Sequence, residues 1–468
     1  MGLRVAFIGV SLLARTDLRE GAASGLTPLE LFARPVERQI TNNRGGHILT
    51  NIGVWSPDGQ WIVYDTRSTP AGDQFDGSRI ELVNVLSGKV QELYRSRHGA
   101  HCGVVTFHPH ENKVVFILGP EHPTADWQYC AWHRQGVMVD LSAPGRAVNL
   151  DARDISSPYT PGALRGGSHV HVWDPAGEWV SFTYEDHVLA GFQEETPEHE
   201  VNLRNVGVSA PLQPVRVAKD NPRNCDGAFF TVLVTRTVAR PQPGSDEIDR
   251  ACEEGWIGTH GYLRPDGSRQ RHGLAFQGRV VLSQGQGIFE VFVADLPQDL
   301  RIPGNGPLAG TQTRRPFAPN GTVQRRLSFT ASRKYPGLQG PRHWLRSSPD
   351  GGRIAFLMKD DEGVAQLWTV SPLGGPVAQL TRNPQAIASA FTWSPNGKFI
   401  AHVMDNSVCA TDAETGETSR LTERAEDATA PRPEACVFSP DGNQIAYVRP
   451  VWMKNAFFNQ VFVVSFRR

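Results

Sequence analysis

Histidines, a tyrosine and an arginine with the chemistry of acid–base catalysis are concentrated in two segments of the first half of the chain. The first segment carries His98, His101 and His122, and the second carries Tyr184 and, twenty residues later, Arg204. Histidine and tyrosine can exchange a proton with a substrate, and a guanidinium can neutralise a carboxylate. Together they form a plausible acid–base set. The alternative for each residue alone is a structural role.

A second group of polar residues suggests a metal ion. His169, His343 and Glu434 each precede the proline of a recurring turn by six residues, and His171 follows His169 closely. Neutral imidazoles together with a carboxylate are suitable ligands for zinc or manganese. We therefore treat His169, His171, His343 and Glu434 as candidate ligands of a divalent metal. The alternative interpretation is a set of hydrogen-bonded histidines at strand ends.

Charge is balanced over the whole chain but not locally. Lysine and arginine total 47 against 48 acidic residues, which disfavours nucleic acid and membrane surfaces as partners. Residues 301–346, however, contain nine basic residues and no acidic one. Such a stretch could flank a small anionic ligand, because guanidinium pairs well with carboxylate or sulfate. A solvated basic strand edge is an equally good explanation.

A repeated turn positions all of these residues. Ser-Pro-Asp-Gly-like turns at residues 56–59, 348–351, 394–397 and 439–442 each lie between two apolar strands, and degenerate copies occur at 107–110 and 173–177. Proline presets φ, aspartate bonds its own backbone and glycine accepts positive φ. Repeats of this kind predict a β-propeller, in which radial repetition lets a single domain reach 468 residues.

Spacing of the turns predicts seven blades. The fourth is widened, with an inner strand at 229–234, later strands at 274–282, 289–294 and 323–329, and an insertion at about 241–271 containing a short helix over 246–254. Residues 214–217 are predicted as the outer strand of the third blade. The last blade lacks an outer strand, and residues 38–41 (Arg-Gln-Ile-Thr) match the missing one. We therefore predict an all-β, seven-bladed propeller closed by an N-terminal strand.

Domain organisation and compartment follow. Residues 1–35 are predicted as an extension outside the fold, and residues 36–468 as one propeller. The apolar stretch from Val5 to Ala14 is too short to span a membrane and makes a poor signal peptide. Six cysteines without CxxC spacing argue against zinc knuckles and a disulfide scaffold. We expect a cytoplasmic protein, with the periplasm left open.

The Ser-Pro-Asp-Gly repeats and the closing Gln-Ile-Thr strand resemble the repeats of TolB-like propellers over residues 37–466. Residues 99–105, 165–171 and 243–247 are also similar to segments of a bacterial propeller family of unknown function. The resemblance implies the fold and leaves the activity open, because one fold hosts many functions.

The layout also resembles propeller polysaccharide lyases, namely ulvan lyases and oligogalacturonate lyases. That resemblance implies a carbohydrate-active enzyme that cleaves uronate-containing oligosaccharides by β-elimination. His101, His122, Tyr184 and Arg204 would be its catalytic residues. Arg204 and a histidine would neutralise the uronate carboxylate while Tyr184 or His101 removes the neighbouring proton.

The expected partner is accordingly an acidic oligosaccharide or another small anionic ligand. A non-catalytic binding or scaffold propeller for a protein or small ligand is the alternative. A serine hydrolase is disfavoured, because the sequence lacks a Gly-x-Ser-x-Gly elbow.

Overall fold

Seven four-stranded antiparallel sheets follow one another around a central channel. The computed structural model describes residues 35–466, so the predicted extension lies outside the described residues except for its last residue. The seven-bladed β-propeller predicted from the repeats is confirmed. None of the helices within 35–466 is long and apolar enough to cross a membrane.

The strands of each blade are given from the channel outwards. Blade one contains Gly46–Ile48, Trp61–Arg67, Arg79–Asn84 and Val90–Arg95. Blade two contains Cys102–Phe107, Lys113–Leu118, Gln135–Asp140 and Ala147–Asn149. Blade three contains Gly166–Trp173, Val180–Asp186, Asn205–Ala210 and Phe230–Leu233. Blade four contains Ala251–Trp256, Gly273–Val281, Gly287–Asp295 and Val323–Arg326.

The inner strands of the remaining three blades are two or three residues long. Blade five contains Arg346–Ser347, Ile354–Lys359, Ala365–Val370 and Ala378–Gln379. Blade six contains Thr392–Trp393, Phe399–Met404, Ser407–Asp412 and Thr418–Arg420. Blade seven contains Cys436–Phe438, Gln444–Met453, Ala456–Ser465 and Val36–Gln39.

A few short elements lie outside the blades. Two pairs of short strands are Ala152–Arg153 with Ala163–Leu164, and Tyr262–Leu263 with Arg269–Gln270. The described helices are single 3-10 turns at Ala131–His133, Leu189–Gly191 and Asp427–Thr429.

Hydrogen bonds within the repeated turn explain its sequence. In blade one the Ser56 hydroxyl donates to Asp58 at 2.5 Å and accepts from the Trp61 N–H at 2.9 Å. Asp58 also accepts from the Gln60 N–H, while Gly59 has a φ of +68°. All copies of the turn lie at one end of the propeller, which we call the turn face. The opposite end, formed by the connections between blades and the loops between second and third strands, is the loop face.

A second repeated contact anchors the outer edge of six blades. In blade five the Thr381 hydroxyl accepts the N–H of Leu367 on the third strand at 2.9 Å, while Leu380 donates its own N–H to the Leu367 carbonyl. The equivalent acceptors in the other blades are Thr41, Asp151, Thr235, Ser328 and Thr422. The Leu-Thr pattern in the sequence therefore marks the point where the fourth strand ends.

The N-terminal strand closes the ring. Val36–Gln39 pairs antiparallel with the third strand of blade seven, so that Val36 lies opposite Ser465. The Thr41 hydroxyl then accepts from Val461 at 2.9 Å. This confirms the predicted closure and removes an open sheet edge.

Blade four corrects the sequence-based assignment. Its inner strand is Ala251–Trp256 and not 229–234, and no helix forms over 246–254. Phe230–Leu233 is instead the outer strand of blade three, in place of the predicted 214–217. This strand is fully buried because the short pair near Ala163 packs over it, so it has the apolar pattern of an inner strand.

Apolar cores lie between neighbouring blades. Val54, Ile62 and Val83 of blade one pack against Val437 and Val461 of blade seven. Burial of such β-branched side chains contributes on the order of 2 kcal/mol each. The rigid ring holds the loops of the loop face in fixed positions.

Candidate functional site

A cavity of about 580 Å³ opens on the loop face between blades three, four and five. Its lining comes from the second-to-third-strand loops of blades two and three, from the inner strand of blade three, from blade four, and from residues 338–343, which connect blade four to blade five. We call it the basic cavity. Propeller sites commonly lie on such a loop face, where loops of several blades converge.

Backbone irregularities occur in the inner strands of blades two, three and four. Each of these strands contains a bulge, at which Val104, Val170 and Glu253 have φ of +56°, +57° and +51°. Left-handed backbone is rare for a residue other than glycine and is strained for valine. Bulges redirect side chains and are frequent beside active sites. In blade three the bulge follows directly after His169, which lines the basic cavity.

Five arginines line the basic cavity: Arg134, Arg204, Arg250, Arg279 and Arg342. Arg204 donates twice to Glu185, at 2.6 and 2.9 Å. Arg279 pairs with Asp249, with both contacts at 2.7 Å, and Arg342 donates to Glu253 at 2.9 Å. Three of the five guanidinium groups are therefore largely neutralised by carboxylates.

The other two arginines have no acidic partner within residues 35–466. Arg134 donates through Nε to the Tyr129 hydroxyl at 3.0 Å, and its guanidinium lies 5.3 Å from the centre of that ring. The Nε of Arg250 is buried and makes no hydrogen bond to any described residue. Uncompensated cations in a partly enclosed cavity attract an anion strongly, because little water screens them.

His169 is the titratable group among these arginines. Burial, followed by the charges of Arg134, Arg342 and Arg204, lowers the pKa of His169 well below its ordinary value. Its Nδ1 lies 3.5 Å from the Thr183 hydroxyl, and its Nε2 has no partner among the described residues. The imidazole is therefore neutral at physiological pH and presents an unused nitrogen that can accept a proton.

The predicted metal site does not assemble. Residues 35–466 contain no group of three or more His, Cys, Asp or Glu placed to hold an ion. His343 uses both ring nitrogens, since Nδ1 donates to the Pro341 carbonyl at 2.9 Å and Nε2 accepts the Leu357 N–H at 3.1 Å. Glu434 accepts from Arg432 at 3.0 Å. His171 is buried against Phe182 without a hydrogen bond.

The predicted catalytic set is also dispersed, and only Arg204 reaches the basic cavity. Tyr184 is buried and donates to Asp186 at 3.1 Å, and burial raises its pKa well above the ordinary value. His122 stacks on His98 with ring centres 4.2 Å apart.

His101 lies on a separate cavity of about 570 Å³ at the loops of blades one and two. This second cavity adjoins the basic one, because Tyr129 lines it and contacts Arg134 of the basic cavity.

Acidic residues from elsewhere neutralise most of the basic stretch 301–346. Seven of its arginines form ion pairs with distant or neighbouring carboxylates, namely Arg301–Asp299, Arg314–Glu200, Arg315–Glu200, Arg325–Asp295, Arg326–Glu290, Arg333–Asp361 and Arg342–Glu253. Arg342 is the member that lines the basic cavity. Sequence reasoning missed Arg134 and Arg250, which carry no motif. Their position before the strands Gln135–Asp140 and Ala251–Trp256 was the available signal.

Comparisons with known structures concern the fold. An oligogalacturonate lyase in complex with manganese aligns over 92% of this chain and 93% of its own, with a TM-score of 0.54 and 10% identity. A second oligogalacturonate lyase, from Vibrio parahaemolyticus, covers the same shares with a TM-score of 0.50 and 8% identity. At such low identity the likeness shows the shared propeller fold alone.

Sequence comparison is more specific. Residues 101–225 match a family described as a protein of unknown function, DUF3748. The uncharacterised protein YidR of Escherichia coli strain K12 is 49% identical over 422 residues, which cover 89% of this chain and 96% of that protein. The predicted membership of a bacterial propeller family of unknown function is thus confirmed. The chain belongs to the protein family that includes Escherichia coli YidR.

Proposed function

We propose that the basic cavity binds a uronate-containing oligosaccharide and cleaves it by β-elimination. The observation that carries this proposal is a neutral histidine, His169, next to two arginines without carboxylate partners, Arg134 and Arg250. β-Elimination beside a carboxylate requires both parts. A cation must neutralise the carboxylate so that the neighbouring proton becomes acidic, and a base must remove that proton.

The reaction assigns roles to this chain's own residues. Arg134 and Arg250 bind the uronate carboxylate, and Nε2 of His169 takes the proton from the adjacent ring carbon. The electron pair of that C–H bond forms the new carbon–carbon double bond. The glycosidic C–O bond then breaks with its electron pair on the leaving oxygen, which water protonates at the open mouth of the cavity. No oxidant or reductant is needed.

The adjoining cavity supports an oligomeric substrate. It is about 570 Å³ in volume, and Tyr129 and His101 are part of its lining. The two cavities meet at the side chains of Arg134 and Tyr129, which are hydrogen-bonded to each other. A chain of sugars could therefore extend from the basic cavity across blade two, with ring contacts to aromatic groups.

A divalent metal does not fit the described residues. His169 and His343 both line the basic cavity, but residues 35–466 contain no group of three or more His, Cys, Asp or Glu placed to hold an ion, and both ring nitrogens of His343 are already hydrogen-bonded. The proposed reaction therefore uses arginine and histidine side chains alone.

Uronate oligomers of pectic, ulvan and glycosaminoglycan type provide the test, with the ultraviolet absorbance of the unsaturated product as the signal. We expect turnover of at least one class, and a loss of about a hundredfold or more in kcat for His169→Gln, since it removes the base. His110→Gln is the matched control, because His110 is exposed on the turn face. Absence of product from every class contradicts the lyase.

Calorimetric titration distinguishes the lyase from the alternative function, a non-catalytic binding propeller. Binding of a uronate oligomer without product supports a non-catalytic propeller for a small anionic ligand. In that case Arg134→Gln weakens binding by about tenfold or more, the value of a charge-assisted hydrogen bond. Arg301→Gln is the control, since Arg301 is exposed and pairs with Asp299.

A further inference from the structure

A second concave region lies on the turn face, at the opposite end from the basic cavity. It is a funnel of about 350 Å³ lined by aromatic and proline side chains. Its tryptophans are Trp55, Trp173, Trp256 and Trp393, and its prolines are Pro57, Pro109, Pro175, Pro349, Pro395 and Pro440. Each proline belongs to one copy of the repeated turn, so the repeat itself builds this ring.

The indole rings are held in place by the backbone of neighbouring strands. Trp55 donates to the Val437 carbonyl, and Trp256 donates to the Val172 carbonyl, each at 3.0 Å. The Nε1 of Trp173 is buried and has no partner among the described residues. The funnel is therefore preformed and retains one unused donor, which favours binding of a flat ligand.

A polar annex of about 380 Å³ continues the funnel. The two spaces share Asp174, Pro175 and Trp256 in their lining, and the annex adds His272 and Arg269. They thus form one site with an apolar part and a polar part.

His272 is the buried polar group of this annex. It is 6% exposed and stacks on Trp179 with ring centres 3.9 Å apart. Neither ring nitrogen makes a hydrogen bond within residues 35–466, and Asp174 Oδ2 lies 3.7 Å from its Nε2. A buried imidazole without hydrogen bonds is unfavourable, so a ligand that bonds to His272 recovers this lost free energy.

Charges at the rim suit an anion. Arg269 is exposed and has no carboxylate partner among the described residues, whereas Arg271 pairs with Glu178 at 2.7 Å. Asp174, which also lines the annex, accepts the backbone N–H groups of Glu178 and Trp179 through Oδ1.

We infer that the turn face binds a small molecule with a flat apolar body and one anionic group. The body lies among the tryptophans, a polar atom bonds to His272, and the anionic group pairs with Arg269. This site is independent of the basic cavity and of the reaction proposed there.

Two fluorescent probes of matched shape test the inference on the full chain. Anilinonaphthalene sulfonate carries the anionic group, and N-phenylnaphthylamine lacks it. We expect saturable binding of both with quenching of tryptophan fluorescence, tighter for the sulfonate. Arg269→Gln weakens the sulfonate about fivefold and leaves the neutral probe unchanged, as expected for a rim contact.

His272→Phe keeps the stacking and removes the polar atoms. We expect it to weaken both probes about tenfold without lowering the unfolding midpoint, whereas His272→Gln restores part of the affinity. A destabilised His272→Phe protein with unchanged probe binding makes the histidine structural and overturns the inference. Absence of saturable binding overturns it, as does weakening of the sulfonate by Arg342→Gln in place of Arg269→Gln, which would locate the probe in the basic cavity. Arg301→Gln is the control for charge.

Discussion

Blades two to four and blades five to seven are both four-stranded but differ in the backbone of their inner strands. In the first set each inner strand contains a bulge with a left-handed residue. In the second set the inner strands are short and pair without a register shift. The strained backbone and most of the lining of the basic cavity therefore occur in the same blades.

Equivalent residues make the difference concrete. His169 in blade three and His343 in blade five both lie six residues before a turn proline. Both ring nitrogens of His343 are hydrogen-bonded to the backbone. In blade six the Ser389 hydroxyl likewise accepts a backbone N–H, that of Val403. His169 leaves Nε2 unused.

The largest expected effect comes from opening the ring in blade seven. A chain that begins at Asn42 loses the closing strand, the buried Ile40 and the Thr41 contact to Val461. We expect a loss of at least about 5 kcal/mol in the free energy of unfolding, from several hydrogen bonds and one buried side chain. Denaturant titration measures it, with a chain beginning at Val36 as control. Equal midpoints for the two chains would show that the ring does not need this strand.

The two histidines offer the next contrast. His343→Ala leaves the Leu357 N–H unpaired and creates a cavity, so we expect a loss of about 3 kcal/mol in stability. His169→Ala removes a side chain with a free nitrogen, and about 1 kcal/mol or less is expected. Thermal or denaturant unfolding of both variants gives the comparison. Similar losses for the two would remove the distinction between a structural and a functional histidine.

Asp151 provides a pH-dependent contrast of smaller size. It occupies in blade two the position that Thr381 occupies in blade five, and burial raises its pKa to about 7. Because the pKa of Asp151 is raised in the folded protein, the carboxyl contributes to the free energy of unfolding below about pH 3.8, the ordinary pKa. This contribution is lost as the pH rises through about 7. Asp151→Thr removes this loss and should stabilise the protein by about 2 kcal/mol at alkaline pH.

Unfolding midpoints measured across that pH range are the check. The advantage of Asp151→Thr must shrink or reverse in acid. A difference that is constant with pH would mean that the carboxyl does not titrate in the folded protein.

The pH dependence of turnover gives the smallest effect. Because burial and the Arg134 charge lower the pKa of His169, the base stays unprotonated below the ordinary histidine pKa, and activity should persist there. Arg134→Gln removes a positive neighbour, so the pKa rises and the acidic limb of kcat/KM moves to higher pH. An unmoved limb would exclude His169 as the base.

The sequence predicted the fold because its signals are local. The turn at 56–59 joins residues close in sequence, and the Leu-Thr pair at residues 380–381 is a short motif; both recur in most blades. Blade four was assigned wrongly because Phe230–Leu233 is covered by the pair near Ala163 and therefore has an inner-strand pattern. The strand Ala251–Trp256 was not recognised as the inner strand, because it is polar and lacks the proline turn.

The site was predicted only in part, because it joins residues from four blades. His169 was proposed as a metal ligand and Arg204 as a catalytic residue, and the structure places both in the lining of the basic cavity. Arg134 and Arg250 had no pattern of their own, and their lack of acidic partners is visible only in three dimensions. The ion pairs of the basic stretch 301–346 are likewise visible only in three dimensions, since Glu200 and Glu290 contact it from a distance.

The most direct test of uronate binding in the basic cavity is calorimetric titration of a uronate oligomer into the His169→Gln protein. This variant lacks the base and therefore binds the oligomer without turnover. We predict saturable binding that weakens at high salt. The affinity should fall about tenfold or more when Arg134→Gln is added and should stay the same when Arg301→Gln is added. Binding that is indifferent to Arg134, or no binding of any uronate oligomer, would contradict the assignment of the basic cavity.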